Sequence, residues 1–534
     1  MELERIVHCF AGFVRIIYLY NFLTERNVTL TGRFRVGCFQ QRQKENRPSK
    51  SSRKFRHKEI PRVHRTEKGK GRKKMGSLTG KLYDSSKIDR SNLMFPKHEL
   101  WQLLIPLMIE QMLNALMGMA DTMMVSRVGS AAISAVSLVD SINMLVLQVF
   151  VALAAGAAII CSQYIGRRDK EGCNEAARQI VLTVTAISVT LTVICVILRR
   201  PLLSLIFGSV EADVMANSQA YFLITALSYP FIALFNAGSS FYRSAGNSKY
   251  PMRISLGANM LNIAGNAVLI FVFHMGVTGA ALSTLLSRIV CAVVVFWSLR
   301  KPDQMITVRD YLSIRPNFPL IKKILAIGVP NGIENGMFQF GKLAIQSSVS
   351  ALGTTAIAAQ AMTIIFENVN GVAASGIAIG LMTVVGQCIG AGKQEEAKYY
   401  IVKLSVYAEV AMIICCLIVY GISGPVTMIA GMEAESAAIC LQMVLAITIF
   451  KPIFWVLSFV PAYGLRAAGD VRFSMITATL TMWLCRVALA VFLMRFCSSG
   501  PMGVWIGMFA DWGIRSIIFT VRFLHGKWLR FHVV

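Results

Sequence analysis

The sequence predicts an all-α polytopic membrane protein: twelve transmembrane helices in two parallel six-helix repeats around a central cavity. Three observations carry that prediction. Of 534 residues, 55% are hydrophobic and only 15% charged, against about 25% charged in ordinary soluble domains. From residue 100 onward, apolar stretches follow one another between short polar breaks. The second half of the chain also repeats the first.

So apolar a chain lacks the polar surface that water requires. Disordered, collagen-like and nucleic-acid-binding identities are therefore excluded for the main body, despite a net charge of +26. Part of that charge belongs to a tail. Residues 1–74 hold 20 Lys and Arg against 6 Asp and Glu, a net of +14, which leaves +12 for the rest. The tail lacks hydrophobic period and reads as a basic disordered extension. It reads either as a cytosolic basic arm that touches anionic lipid or nucleic acid or as upstream sequence outside the native protein; the second reading is preferred, which makes it dispensable with Met75 as the start. The apolar piece at 6–14 is short, is followed by Arg15 and makes a poor signal peptide. The twelve cysteines are scattered through apolar runs without a CxxC, so they read as small buried side chains rather than metal ligands.

A bilayer requires roughly 20 apolar residues per helix. Twelve spans satisfy this, at 100–125, 131–164, 175–198, 214–240, 252–273, 277–299, 320–350, 354–389, 397–421, 435–463, 473–496 and 502–524. The expected organisation is a cytoplasmic segment at 75–99, an N-lobe at 100–300, a linker at 301–319, a C-lobe at 320–525 and a tail at 526–534. Alternate connections are basic. One set carries 17 Lys and Arg, among them Arg167, Arg168, Arg300, Lys301, Lys393 and Lys398, and the other set carries 4. The positive-inside rule places the basic set and both termini in the cytoplasm.

A shift of 224 superimposes Pro106 on Pro330, Glu110 on Glu334, Gly129 on Gly353, Gln163 on Gln387 and Gly166 on Gly390, with 15 identities over the 62 positions 105–166. A shift of 223 then aligns RSAGNSKYPM (243–252) with RAAGDVRFSM (466–475), and MGVTGA (275–280) matches MGVWIG (502–507). Each copy holds six spans. The second therefore enters the membrane from the same side as the first, which makes the repeats parallel.

Ionisable groups inside spans mark function by default. Span one holds Glu110, Asn114 and Asp121. Glu110 is repeated as Glu334, which suggests architecture, such as bonds to backbone groups freed by the prolines. Asp121 aligns with Ile345 and Asp140 with Ile364, so both are carboxylates of one lobe only. Span five offers Asn259, Asn262 and Asn266, and span six offers Ser283 and Thr284. A carboxylate with amide and hydroxyl oxygens suits H⁺ or a hard cation such as Na⁺. Asp121, Asn262, Asn266 and Thr284 are thus the candidate ion-coupling set. Glu110, Asn114, Glu334 and Glu367 are candidate cavity residues. Asp140 lacks evident polar company, Glu367 and Lys342 suggest mutual neutralisation, and Asp511 with Arg515 reads as a structural pair. No HExxH or GxSxG occurs, and GMFQFGKL (336–343) lacks the hydroxyl of a phosphate loop. Neither an enzyme nor a cofactor is expected.

The stretches MADTMMVSRVGSAAISAVSL (119–138), SQYIGRRD (162–169), YRSAGNSKYPM (242–252), GVTGAALST (276–284), GQCIGAGKQEEA (386–397) and YGLRAAGD (463–470) resemble the multidrug and toxic compound extrusion (MATE) transporters over about four-fifths of the chain. The resemblance implies an antiporter of the cell membrane that exports organic cations or other amphipathic small molecules against inward H⁺ or Na⁺. Its partners would be substrate and lipid, and it would act as a monomer. Asp121 matches the family's first-span cation-site aspartate, and Asn262 and Thr284 match further members of that site. Asn266 stands where many prokaryotic members have a second aspartate. Phe338 stands where other branches have a glutamate in span seven. Two alternatives remain: a lipid-linked oligosaccharide flippase of the same two-lobe plan, and a non-transporting membrane receptor or scaffold. A flippase should carry several cations in its cavity, whereas Arg288 is the one cation deep within the first lobe's spans.

Overall fold

The computed structural model describes residues 82–531 and 533, apart from 209–210, 303, 310–313 and 498–499. The basic extension lies outside the described residues. Every long element is a helix. In chain order they are α1 (Lys97–Ser126), α2 (Ser130–Gly166), α3 (Lys170–Ile197), α4 (Arg199–Phe207), α5 (Ala212–Leu227), α6 (Tyr229–Ser244), α7 (Lys249–Asn266), α8 (Gly276–Leu299), α9 (Phe318–Ser350), α10 (Thr354–Gly390), α11 (Gln394–Ile429), α12 (Ala434–Ala467), α13 (Val471–Thr481), α14 (Leu489–Phe496) and α15 (Met502–His525).

Among the described residues, ten segments are long and apolar enough to cross a bilayer, and α5 with α6 makes an eleventh. The twelfth expected span is α9. Its 33 residues reach about 50 Å at 1.5 Å each, but Lys322, Lys323, Asn331, Glu334 and Lys342 make it too polar to qualify by composition. The expected fourth span is not one straight rod. It breaks at Ser228 with a 41° bend, because Pro230 in the first turn of α6 has no N–H for a continuing helix. The short α4 was not anticipated.

The halves repeat in detail. α2 and α10 span 37 residues each, offset by the same 224 positions as the sequence. Each begins after a glycine with positive φ, Gly129 at 136° and Gly353 at 96°, a region that costs any residue with a Cβ. Both halves also contain a π-helical stretch, Ala267–Val272 after α7 and Met482–Ala488 between α13 and α14. Such widened turns concentrate at functional positions.

The halves meet through α1 and α2 of the first and α9 and α10 of the second. Contact is tightest at the end bearing the basic connections. A Cβ on Gly166 would lie 2.1 Å from the Gln387 carbonyl oxygen, and one on Gly390 would lie 2.1 Å from that of Gln163. Gln163 Nε2 donates to the Ala467 carbonyl at 2.8 Å, and Gln387 Nε2 donates to that of Ser244 at 2.6 Å. The two bonds are repeat mates, each reaching from one half into the other. Toward the opposite end burial falls away. On α2, Ala157, Ile159 and Cys161 are fully buried, while Ile133, Met144 and Val151 are exposed. On α10, Ala378, Leu381 and Cys388 are buried, while Ile364, Ile365 and Val369 are exposed. The halves are thus joined at the basic end and part toward the other.

Two extra segments secure that joined end. The stretch before α1 lies against α11: Asp84 N donates to Glu395 Oε2 at 2.8 Å, Met94 N donates to Glu396 Oε2 at 3.1 Å, and Phe95 exchanges backbone bonds with the Tyr400 hydroxyl. The connection into α9 is clipped to α3. There Asn317 N donates to Gln179 Oε1, and Gln179 Nε2 donates to the Arg315 carbonyl.

Candidate functional site

The expected ion-coupling set comes together as one chain of hydrogen bonds across α1, α7 and α8. Asn266 Nδ2 donates to Asp121 Oδ1 at 2.8 Å and to Asn262 Oδ1 at 3.2 Å. Asn262 Nδ2 donates to Thr284 Oγ1 at 3.2 Å, and Thr284 donates onward to the Ala280 carbonyl. The four-residue step from Asn262 to Asn266 is one helical turn, which stacks the two amides on one face. Gly265 lets α8 approach closely, since a Cβ there would meet Ser283 Oγ at 2.4 Å. Ser283 in turn donates to the Asn262 carbonyl.

Asn262 and Asn266 are buried, and Asp121 is half-buried. Asn266 Oδ1 is buried with no partner among the described residues. An unpaired amide oxygen beside a carboxylate is a ready acceptor for a small cation or a hydrated proton. Asp121 is the one carboxylate of this chain of bonds, and no cluster of three metal-ligating His, Cys, Asp or Glu exists among the described residues. Asn259 stands outside it, its Nδ2 buried without a partner. Asn114 is also outside, exposed and 3.4 Å from Ser255 Oγ.

Asp140 has more company than its sequence neighbours suggest. Its Oδ1 accepts from Asn143 Nδ2 at 3.1 Å and from the Tyr221 hydroxyl at 3.4 Å. Asn143 Oδ1 also accepts from the Tyr229 hydroxyl at 2.7 Å. Arg288 donates to Ser228 Oγ at 2.7 Å and attracts both Asp140 and Asp121, which repel each other. A cavity of about 290 Å³ opens beside Asp140, lined by Ile133, Val136, Ser137, Ser141 and Met144 of α2 and by Val125 of α1. The tyrosines come from the broken α5–α6 segment, some 80 residues away, and only the fold brings them here.

The repeated glutamates are not bound to backbone freed by proline. Glu110 pairs with Arg243, and Glu334 pairs with Arg466 at 2.8 Å. Both carboxylates are buried. These pairs are repeat mates, so they hold α1 to α6 and α9 to α12 in the same way. The signal was present in the repeat itself, which keeps opposite charges at matching positions in both copies. Removing one partner of a buried pair costs about 3–5 kcal/mol. Because glutamine keeps an acceptor, Glu110→Gln and Glu334→Gln should each cost about 3 kcal/mol. Thermal unfolding in detergent should show lower midpoints, with ion dependence of transport unchanged in the surviving protein. Loss of ion dependence at full stability would contradict this assignment.

Glu367 attracts Lys342 from a distance, but its direct partner is Lys451. Its Oε1 accepts from Lys451 Nζ at 2.6 Å, and Lys451 also reaches Asn370 Oδ1 and the Glu367 carbonyl. Lys342 lies over the Phe338 ring, 5.2 Å from its centroid. Asp511 and Arg515 form the expected pair at 3.0 Å. Every ion pair between described residues of the helices lies within one half, whereas the bonds of Gln163 and Gln387 between the halves are neutral.

Comparison with known proteins gives the family and the fold of the chain. The family model described as MatE matches residues 106–268 and again 330–492. A Thermotoga maritima protein named "Probable multidrug resistance protein NorM" is 28% identical over 439 residues, covering 81% of this chain and 93% of the relative. A Bacillus subtilis protein named "Uncharacterized transporter YisQ" is 26% identical over 440 residues, covering 81% and 95%. Among solved structures, MATE in complex with MaL6 superimposes with a TM-score of 0.76 at 20% identity, covering 81% of this chain and 98% of that one. An outward-facing multidrug resistance MATE family transporter of the MOP superfamily gives 0.75 at 20% identity, covering 84% and 98%.

Proposed function

Because the chain belongs to the MatE family, we propose that it is a secondary antiporter of the cell membrane, exporting amphipathic organic cations against inward H⁺ or Na⁺. The observation that carries this reading is the chain Asp121–Asn266–Asn262–Thr284, present in one half only and leaving the Asn266 amide oxygen unpaired beside the carboxylate. The deprotonated carboxylate attracts a cationic substrate. H⁺ or Na⁺ neutralises it and loosens the substrate. The nearby cavity beside Asp140 offers an apolar wall with a second carboxylate.

The basic connections are cytoplasmic in this reading, so the joined end faces the cytoplasm and the cleft opens outward. Rocking of the two lobes, 100–300 and 320–525, about that closed end gives alternating access. The protein works as a monomer, with no cofactor.

Purified protein in vesicles under an imposed gradient tests the reading. Efflux of tetraphenylphosphonium should follow an inward H⁺ gradient more strongly than a Na⁺ gradient, since one carboxylate is a thin ligand set for Na⁺. Asn266→Asp should raise the Na⁺ response by adding a charged ligand. Equal efflux with both gradients collapsed would overturn the proposal.

A further inference from the structure

The repeat that duplicates the helices does not duplicate their charges. At a shift of 224, Lys342 takes the place of Gly118, one turn before the position equivalent to Asp121. At 223, Arg486 takes the place of Ile263, beside Asn262, and Lys451 that of Ser228. At 227, Asp511 and Arg515 match Thr284 and Arg288. The second half therefore carries Lys342, Lys451, Arg486 and Arg515 against Glu367, Glu409 and Asp511, where the first half carries Asp121 and Asp140 against Arg288.

Two of those four cations are accounted for. Lys451 is held by Glu367 and Arg515 by Asp511. Lys342 and Arg486 have no carboxylate within ion-pair distance among the described residues. Both instead lie on one ring, Lys342 at 5.2 Å and Arg486 at 4.9 Å from the Phe338 centroid. Arg486 is buried and reaches only the Met482 sulfur, at 3.8 Å. Its place within the π-helical stretch Met482–Ala488 takes it out of regular helical register. Lys342 is exposed, in the half of α9 away from the joined end. Glu367 attracts both from beyond ion-pair distance but is itself held by Lys451, so the two like charges converging on one ring still repel and favour an anion between them.

We propose that Lys342, Arg486 and Phe338 form an anion-binding subsite, taking the carboxylate or sulfonate of an amphipathic zwitterion. The aromatic face supports the apolar body, and the two cations hold the anionic group. Resting on the transport reading above, the subsite extends the substrate class from cations to molecules carrying both charges. The cationic end turns to the first half and the anionic end to the second.

A matched pair of probes with one apolar body tests it: pyrenesulfonate and pyrenemethylammonium, titrated by fluorescence anisotropy into full-length protein in neutral-lipid nanodiscs, with empty discs subtracted. The wild type should bind pyrenesulfonate. Lys342→Gln should weaken that binding roughly tenfold, the usual weight of a charge-assisted bond. Lys342→Glu should abolish it while strengthening pyrenemethylammonium. Because Lys342 is exposed, both variants should keep the wild-type unfolding temperature. Arg486→Gln, if it folds, should match Lys342→Gln. Undiminished pyrenesulfonate binding by the folded Lys342→Glu variant, or none by the wild type, would overturn the subsite. So would displacement of the probe by inorganic pyrophosphate in preference to acetate and methanesulfonate, since that marks a diphosphate site. The titration uses no gradient, so its failure leaves the coupling proposal standing, and failure of coupling leaves this subsite standing.

Discussion

Asp121→Asn is expected to reduce gradient-driven efflux to the level of empty vesicles while leaving expression, membrane insertion and unfolding temperature near those of the native protein. Asparagine keeps the size of the side chain and an oxygen that accepts the 2.8 Å bond from Asn266 Nδ2. Packing and hydrogen bonding in the site are therefore preserved. The change removes the charge that a proton or Na⁺ must cancel. With a permanently neutral group, ion and substrate no longer compete, and the gradient has nothing to act on. Asp140 cannot substitute readily, because its Oδ1 already accepts from Asn143 and Tyr221. Vesicle efflux with the gradient imposed and then collapsed is the measurement. Normal coupled efflux by well-folded Asp121→Asn protein would remove Asp121 from the mechanism and move the search to Asp140, then to Glu334 and Glu367.

Gly390→Val is expected to prevent closure of the joined end. At Gly390 even a Cβ would stand 2.1 Å from the Gln163 carbonyl oxygen, well inside the 3.0 Å that real contacts respect. Backbone cannot rotate aside as a flexible side chain can, so α2 and α10 must move apart. That separation stretches the bonds of Gln163 to Ala467 and Gln387 to Ser244. Two native thiols report on it: Cys161 and Cys388 are both fully buried beside the crossing. Maleimide should leave them untouched in the native protein and modify them in the variant, while Cys440, buried elsewhere in the second half, stays protected. Transport should fall severely, because one of the two alternating states is lost. Protected Cys161 and Cys388 with native efflux would show that the close approach is dispensable.

Much of this was legible in the sequence because a repeat compares the chain with itself. The constant offset between Pro106 and Pro330, or Gly166 and Gly390, fixed the two-half plan. It also singled out Asp121 as a charge without a counterpart. The asparagines of α7 were legible because helical periodicity alone puts Asn262 and Asn266 on one face. What stayed hidden depends on contacts between distant segments. Tyr221 and Tyr229 meet Asp140 and Asn143 only because α5 and α6 bend at Ser228. Lys451 reaches Glu367 across 84 positions, a pairing that spacing along one helix cannot reveal. Arg243 and Arg466 stand next to basic connections in the sequence, yet both turn inward to the repeated glutamates.

That the ion pairs between described residues of the helices close within their own halves has a consequence for kinetics. Among the described residues of the helices, parting the halves breaks glutamine–carbonyl bonds and apolar contacts but no ion pair. Added electrolyte screens charge pairs and leaves neutral contacts nearly untouched. The rate of switching between the two states of an unloaded transporter should therefore be almost independent of ionic strength. Any salt sensitivity of turnover then reports on loading and release at the charged sites inside each half. Salt titration thereby becomes a way to separate the step of movement from the steps of capture.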